Sequence, residues 1–125
     1  MILDTNAVSA LFVGDAGIER VLAVATRHQL PVVVIGEYRY GLLRSAHRFA
    51  LQVLLDRLIQ ESNVLAIDRT TAELYAQTRN GLRELGRPIP ENDIWIGALA
   101  LQHLVPIVSR DQHFDAIPGV ERKSW

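Results

Sequence analysis

The sequence predicts an α/β fold in which a central, mostly parallel sheet of about five strands is flanked by helices on both faces. Short apolar runs such as Ile2-Leu3 alternate along the chain with longer segments whose apolar residues recur at helical spacing. The run Val32–Ile35 is continuously β-branched, which is typical of a strand buried on both faces of a parallel sheet. With 125 residues the chain is long enough for one domain, which we assign to residues 1–125.

Capping residues and turn residues place the elements of the first part of the chain. Polar residues that can cap a helix follow the first apolar run, and glycines with an aspartate separate the first helix from the second. The predicted elements are, in order, a strand at Ile2-Leu3, a helix through Phe12, a helix from Ile18 to about His28 capped by Asp15, a strand at Val32–Ile35 and a helix that begins at Gly36.

The rest of the chain continues the alternation. The apolar stripe Ala46, Phe49, Ala50, Val53, Leu54 and Leu58 predicts a helix that buries this face. The pattern Thr70-x-x-Glu73 is typical of a capping box at a helix start. The predicted elements are then a strand at Asn63–Ile67, a helix from Thr70 to Leu85, a helix from Pro90 to Leu101, a strand at Pro106–Val108, one helical turn at His113–Asp115 and an edge strand at Val120–Arg122.

Composition excludes several kinds of site and location. The chain has no cysteine, and therefore no disulfide framework and no cysteine-based zinc site. Its four histidines lack the spacing of a histidine zinc motif. The longest apolar run, Leu30–Ile35, is too short to span a bilayer, and strand-like sequence follows Met1 where a signal peptide would need other residues. We therefore expect a cytoplasmic protein without membrane association.

The charge balance does not indicate a surface that binds nucleic acid all round. The formal net charge is −1, and the cationic residues are all arginine apart from Lys123. Arginine suits phosphate groups and stacks on bases. The near-neutral total is therefore compatible with an acidic pocket beside a basic rim.

Four acidic residues occupy positions that converge in a parallel sheet. Asp4 and Asp111 each follow a predicted strand, Glu37 follows a strand and begins a helix, and Asp93 begins a helix. These positions all lie at the edge of the sheet where the strands end, so the four carboxylates should face one cleft. Such a cluster is costly unless a cation neutralises it, and oxygen ligands suit Mg²⁺ or Mn²⁺. Sites of this kind act on phosphates, with a carboxylate such as Glu37 free to orient or deprotonate the attacking water.

Each acid taken alone has a structural explanation that is at least as good. Asp4 can be only a cap or turn residue, and Asp111 can cap the following turn. Asp93 can be a first-turn acid, and Glu37 can form an ion pair with Arg39 or Arg44. The structural explanations together require four coincidences at one edge. Nine further acids are assigned to solvated or capping roles, namely Asp15, Asp56, Asp68, Asp115, Glu61, Glu73, Glu84, Glu91 and Glu121.

Four short motifs in this order resemble the PIN-domain family, and within it the ribonuclease toxins of VapBC toxin–antitoxin systems. Each motif alone is weak, but together they extend over essentially the whole chain. They are Leu3-Asp4-Thr5-Asn6, Glu37-x-x-x-Gly41, Asn92-Asp93-Ile94-Trp95-Ile96-Gly97-Ala98 and Val108-Ser109-Arg110-Asp111-x-x-Phe114. The sequence departs from the family at Val34, where a hydroxyl residue often stands three places before the glutamate.

The resemblance implies a PIN fold and a Mg²⁺- or Mn²⁺-dependent endoribonuclease that hydrolyses RNA phosphodiester bonds. It makes Asp4 and Asp93 the principal metal ligands, while Glu37 and Asp111 support them or form a second metal site. It also implies a homodimer and a cognate antitoxin on a separate chain. The residues that match positions orienting the carboxylates are Thr5, Asn6, Asn92 and Ser109.

RNA binding would require groups beyond the acids. The candidates for contacts with phosphates are Arg39, Arg44, Arg48 and Arg110. An aromatic such as Trp95 could stack on a base, although its apolar helix favours a place in the core.

Functions of other classes fit less well. An inactive PIN-like module that binds RNA or protein is the main alternative, and a test of metal-dependent RNA cleavage separates it from the nuclease. A phosphoacceptor receiver domain would need a central aspartate and a late lysine, for which Asp68 and Lys123 are poorly placed. A haloacid-type phosphatase would need a second aspartate where Asn6 stands.

Overall fold

The computed structural model describes residues 1–25 and 27–125 and contains a five-stranded sheet. All strand pairs are parallel, and the strand order is β3-β2-β1-β4-β5. This confirms the predicted fold class. The strands are β1 (Ile2–Leu3), β2 (Gln29–Pro31), β3 (Asn63–Leu65), β4 (Ile107–Val108) and β5 (Arg122–Lys123).

Helices occupy the connections between the strands. None of those in the described residues has the length and apolarity needed to cross a bilayer. The helices are α1 (Thr5–Phe12), α2 (Ala16–Leu22), α3 (Val32–Leu42), α4 (Arg48–Glu61), α5 (Arg69–Glu84) and α6 (Glu91–His103), followed by a 3-10 helix over Gln112–Ala116.

The two central strands are covered on both faces. Both residues of β1 and both residues of β4 are fully buried. Because successive side chains of a strand point to opposite faces, this burial requires protein on either side of the sheet. β1 lies in the middle of the sheet, so the residue that follows it, Asp4, emerges at the centre of the edge where the strands end.

The second predicted strand is wrong. Val32–Ile35 forms the first turn of α3, and the strand is the preceding segment Gln29–Pro31. β2 completes its pairing with β1 and β3 before the β-branched run begins, and the run packs as helix with Val34 fully buried. Tertiary packing here overrides β propensity. Glu37 therefore lies one turn inside α3 and not at its start, and Pro31 precedes the helix without a side-chain cap.

The predicted helix around Phe49 exists, but only the end of the predicted stripe, at Leu58, is buried. In α4 the buried residues are Leu55 and Leu58, whereas Phe49 is 72% exposed and Val53 is 61% exposed. Ala46 and Ala50 are exposed as well. The structure confirms the helix, but the choice between two adjacent apolar faces depends on contacts with α3 that the sequence does not reveal.

Smaller differences concern element boundaries. The capping box at α5 is formed by Asp68 and Thr71 and not by Thr70 and Glu73. The second helix ends at Leu22, before the predicted limit, and Thr26 within that prediction lies outside the described residues. The remaining elements agree with prediction to within a few residues, apart from β5, which begins at Arg122 where the predicted strand ends.

Candidate active site

The structure brings the four predicted acids to one cavity. Its volume is about 480 Å³, and a fifth acid, Glu91, also lines it. The full lining is Asp4, Thr5, Asn6, Glu37, Pro90, Glu91, Asn92, Asp93 and Asp111. These residues come from the ends of β1 and β4, from the second turn of α3 and from the first turn of α6.

Asp4 is the most tightly held of the acids. It is 3% exposed and caps α1, because its Oδ1 accepts a 2.8 Å hydrogen bond from the Thr5 backbone N–H. Its Oδ2 accepts a 2.7 Å bond from the Ser109 hydroxyl and a 3.2 Å bond from the Asn6 amide. Both carboxylate oxygens therefore have fixed directions before any ligand binds.

Ser109 connects three other polar groups of the site. It is fully buried, and its Oγ accepts hydrogen bonds from Asn6 Nδ2 at 3.1 Å and from the Asp111 backbone N–H at 2.9 Å. Asn6 Oδ1 in turn accepts a bond from the Arg110 backbone N–H. These bonds join the end of β1 to the end of β4. Thr5, Asn6 and Ser109 thus contact the acids that the resemblance assigns them to orient.

Glu37 is held from two other elements. Asn92 Nδ2 donates a 3.0 Å hydrogen bond to its Oε1, and Thr5 Oγ1 lies 3.5 Å from its Oε2. The ion pair with Arg39 that offered an alternative explanation does not form, since Arg39 pairs with Asp56 at 2.9 Å. The hydrogen bond from Asn92 therefore orients the Glu37 carboxylate from the first turn of α6.

Asp93 is the acid whose protonation is most affected by its surroundings. Its pKa is raised from 3.8 to about 6, mainly by burial and also by the charges of Asp4 and Asp111, while the hydrogen bond from His113 opposes the shift. The folded protein therefore holds the Asp93 proton to a higher pH than an ordinary aspartate does.

Sequence reasoning missed His113. Its Nδ1 lies 3.1 Å from Asp93 Oδ2 and 3.0 Å from Asp111 Oδ1. The 3-10 helix after Asp111 turns the chain back, because the Asp111 side chain accepts a bond from the His113 backbone N–H and Phe114 is fully buried. The signal in the sequence is the spacing Asp111-x-His113, which pairs the histidine with an acid and does not match the spacing of a histidine zinc motif.

The donor set fits a hard divalent cation. Asp93, Asp111 and His113 each present a ligand atom, and these atoms lie within 4.8 Å of one another. Asp4 adds buried carboxylate oxygens to the same cavity. Carboxylates are the ligands that Mg²⁺ and Mn²⁺ bind in proteins, and a positive charge would offset both the burial and the repulsion from Asp4 and Asp111 that raise the pKa of Asp93.

The predicted RNA-binding arginines lie outside the acidic cavity. Among the described residues no arginine lines it. Arg39 and Arg48 line a separate depression with Leu42, Leu43 and Gln52, while Arg44 donates a hydrogen bond to the Tyr40 hydroxyl. Arg110 stacks over Trp125, and its guanidinium lies 3.4 Å from Asp15. Their part in RNA binding stays a prediction.

The aromatic side chains near the site have structural partners. Trp95 is partly buried and stacks on Tyr75, with ring centroids 3.8 Å apart and planes 14° apart. The Tyr75 hydroxyl donates a hydrogen bond to Glu91 at the rim of the cavity. Tyr40 is 63% exposed and accepts a hydrogen bond from Arg44.

Comparison with protein-family models matches residues 1–120 to the PIN domain. Ribonuclease VapC4 of Mycobacterium tuberculosis is 34% identical over 92 residues, which cover 72% of this chain and 71% of that protein.

Solved structures give the same fold. The DNA-bound VapBC structure from Salmonella typhimurium has a TM-score of 0.88 at 23% identity and covers 99% of this chain and 96% of that chain. VapBC-5 from Mycobacterium tuberculosis is a member of the VapBC family of toxin–antitoxin systems. Its structure has a TM-score of 0.78 at 27% identity, and the match covers 98% of this chain and 94% of that chain.

Proposed function

The chain belongs to the PIN domain family, and from that membership we propose that it is a metal-dependent endoribonuclease that acts as the toxin of a type II toxin–antitoxin pair. The observation that carries the proposal is the single cavity lined by Asp4, Glu37, Asp93 and Asp111. Carboxylates gathered in this way repel one another and repel RNA phosphates unless a cation lies between them. The similarity to a protein named as a ribonuclease supports RNA as the substrate.

The cation is Mg²⁺ or Mn²⁺ in this proposal. Asp4 and Asp93 are its principal ligands because they are the most deeply buried of the four acids. Glu37 and Asp111 support them or hold a second ion. When bound, the ion supplies the positive charge that polarises a phosphoryl oxygen and lowers the pKa of water.

The protein groups position the reactants and move one proton. The hydrogen bonds to Asp4 from Thr5 and Ser109 fix its carboxylate, so little reorganisation is needed during the reaction. Glu37, which is held by Asn92, accepts a proton from the attacking water. The water oxygen forms a bond to phosphorus as the bond from phosphorus to the ribose oxygen breaks, and the leaving oxygen takes up a proton from solvent.

The proposal extends to partners and location. We place a cognate antitoxin on a separate chain, in keeping with the toxin–antitoxin family of VapBC-5. Residues 1–125 form one PIN domain that assembles as a homodimer in the cytoplasm. Arg39, Arg44, Arg48 and Arg110 contact phosphates of the RNA outside the acidic cavity.

Cleavage of labelled RNA by the purified protein tests the proposal. We expect cleavage of a mixed-sequence RNA with Mg²⁺ or Mn²⁺, none with excess chelator, and none by Asp4→Asn or Asp93→Asn. Both substitutions preserve shape and remove a charge from a repelling cluster, so the proteins should fold. Glu73→Gln removes an exposed acid on α5 and serves as the matched control. Full activity in either aspartate variant refutes its role, and RNA binding without cleavage under both metals indicates an inactive binding module.

A further inference from the structure

His113 adds a nitrogen atom to a site otherwise built from oxygen. Its Nδ1 lies 3.1 Å from Asp93 Oδ2 and 3.0 Å from Asp111 Oδ1. The main chain fixes this position from both sides, since the His113 backbone N–H donates to Asp111 and the next residue, Phe114, is fully buried. The imidazole is thus held beside the two carboxylates by local structure.

Hydrogen bonding accounts for only one of the two short contacts. An imidazole nitrogen carries at most one hydrogen, which can be directed at a single acceptor. Nδ1 nevertheless lies equally close to two carboxylates. One oxygen therefore faces the ring nitrogen without a hydrogen directed at it.

The same two distances match the spacing of ligands around a small divalent ion. Neighbouring ligands at about 2.1 Å from an octahedral ion lie about 3 Å from each other. The Nδ1 contacts with Asp93 and Asp111 are 3.1 Å and 3.0 Å. Nδ1 therefore lies at the spacing of a neighbouring ligand from each of the two carboxylate oxygens, and the ligand atoms of the three residues lie within 4.8 Å of one another.

We propose that His113 is a direct metal ligand, which together with Asp93 and Asp111 forms a mixed nitrogen and oxygen site that favours Mn²⁺ over Mg²⁺. This inference rests on the proposed metal-dependent function. Carboxylates bind both ions, whereas imidazole nitrogen is a better ligand for transition metals than for Mg²⁺. The histidine thus determines which ion the site prefers, a property that the four acids alone do not specify.

Metal binding to the intact protein, measured without RNA, tests the inference without reference to cleavage. Titration calorimetry with Mn²⁺ and with Mg²⁺ would compare the wild type with His113→Asn, which keeps an amide oxygen near the position of Nδ1. Loss of a group that only orients a ligand costs about 10- to 100-fold in affinity. We expect His113→Asn to weaken Mn²⁺ binding by at least about tenfold and to leave Mg²⁺ binding far less changed.

A matched control and a direct spectroscopic measurement accompany the titration. His103→Asn makes the same change at the far end of α6, about 15 Å along the helix from Asp93. We expect this control to bind both ions as the wild type does. Electron–nuclear double resonance of bound Mn²⁺ should show coupling to a directly bonded nitrogen in the wild type and in His103→Asn, and none in His113→Asn.

The outcomes separate this inference from the proposed function. If His113→Asn binds Mn²⁺ as tightly as the wild type and the nitrogen coupling is absent from both, His113 is a counter-ion to the acids and the inference is overturned while the nuclease proposal stands. If the wild type binds neither ion at millimolar concentration, both proposals fail.

Discussion

The Ser109 hydroxyl donates a 2.7 Å hydrogen bond to Asp4 Oδ2, across 105 residues of sequence. Ser109 directly follows β4 and Asp4 directly follows β1, and these two strands are neighbours in the centre of the sheet. The Asp4 carboxylate is therefore positioned by the pairing of β1 with β4, because that pairing brings Ser109 next to it. The bond is fully buried, so neither partner can exchange it for a bond to water.

We expect Ser109→Ala to lower both stability and cleavage. The substitution removes the shorter of the two hydrogen bonds to Asp4 Oδ2 and leaves the Asp111 backbone N–H without its acceptor. The expected loss in the free energy of unfolding is about 1–3 kcal/mol. Loss of a group that orients a ligand should lower cleavage by about 10- to 100-fold. Denaturant unfolding and an RNA cleavage assay measure the two effects.

Ser124→Ala is the control for Ser109→Ala, because Ser124 is exposed near the C-terminus. It should change neither quantity. A Ser109→Ala protein with unaltered cleavage would show that Asp4 keeps its position without this bond.

Metal-free protein should become less stable as pH rises through about 6, because of Asp93. The pKa of this carboxyl is 3.8 ordinarily and about 6 in the folded protein. Between these values the folded state binds the proton more readily than the unfolded state, so the contribution of Asp93 is fully present below about pH 4 and is lost as pH rises through about 6. A shift of this size corresponds to about 3 kcal/mol at most.

Asp93→Asn isolates this effect, since asparagine has no charge to bury. In chelator, the variant should be more stable than the wild type at pH 7.5, and the difference should disappear toward pH 4. Adding Mn²⁺ at pH 7.5 should reverse the order by stabilising the wild type alone. Parallel stability curves for the two proteins in chelator would contradict the assigned pKa shift.

The acids could be located from sequence because a parallel sheet puts the end of each strand at one edge. Asp4 and Asp111 follow β1 and β4, which the apolar pattern predicted within a residue. Glu37 reached the cavity although its strand was misplaced. It lies one turn inside α3, and a side chain there still faces the same edge.

The features that sequence did not reveal depend on packing between distant segments. The β-branched run Val32–Ile35 has the propensity of a strand, and only its packing as helix with Val34 buried decides otherwise. His113 approaches Asp93 through a short 3-10 helix whose geometry no periodic pattern specifies. The exposed face of α4 likewise depends on which of two apolar stripes meets the core.

Alanine at Arg39, Arg44 or Arg48 should weaken RNA binding more at low salt than at high salt. A phosphate contact releases counterions, so its loss should reduce the slope of log affinity against log salt by about 0.7 for single-stranded RNA. Binding to an uncleavable RNA with the Asp4→Asn protein as background measures the slope. Arg69→Ala at the start of α5 is a control for lost charge. Unchanged slopes would assign the three arginines to structural contacts such as the Arg39–Asp56 pair.

Gly97→Ala should destabilise the protein although alanine favours helix. Gly97 lies one turn after Asp93 in α6 and is buried. A Cβ built there would lie well inside van der Waals contact with Ile117 Cδ1, and Ile117 is 2% exposed. Overpacking of this kind costs about 1–3 kcal/mol, which exceeds the gain of about 1 kcal/mol from helix propensity. Thermal and denaturant unfolding measure the loss.

The double variant Gly97→Ala with Ile117→Val tests whether Ile117 is the cause. Valine lacks Cδ1, and the other Ile117 atoms near the new Cβ are 3.8 Å and 3.9 Å away, which is ordinary contact. Ile117→Val alone should cost about 0.5–1.5 kcal/mol. The double variant should be at least as stable as Ile117→Val, because the clash is gone and the helix gain remains. Additive losses in the double variant would mean that Gly97→Ala acts elsewhere, for instance by shifting α6 and with it Asp93.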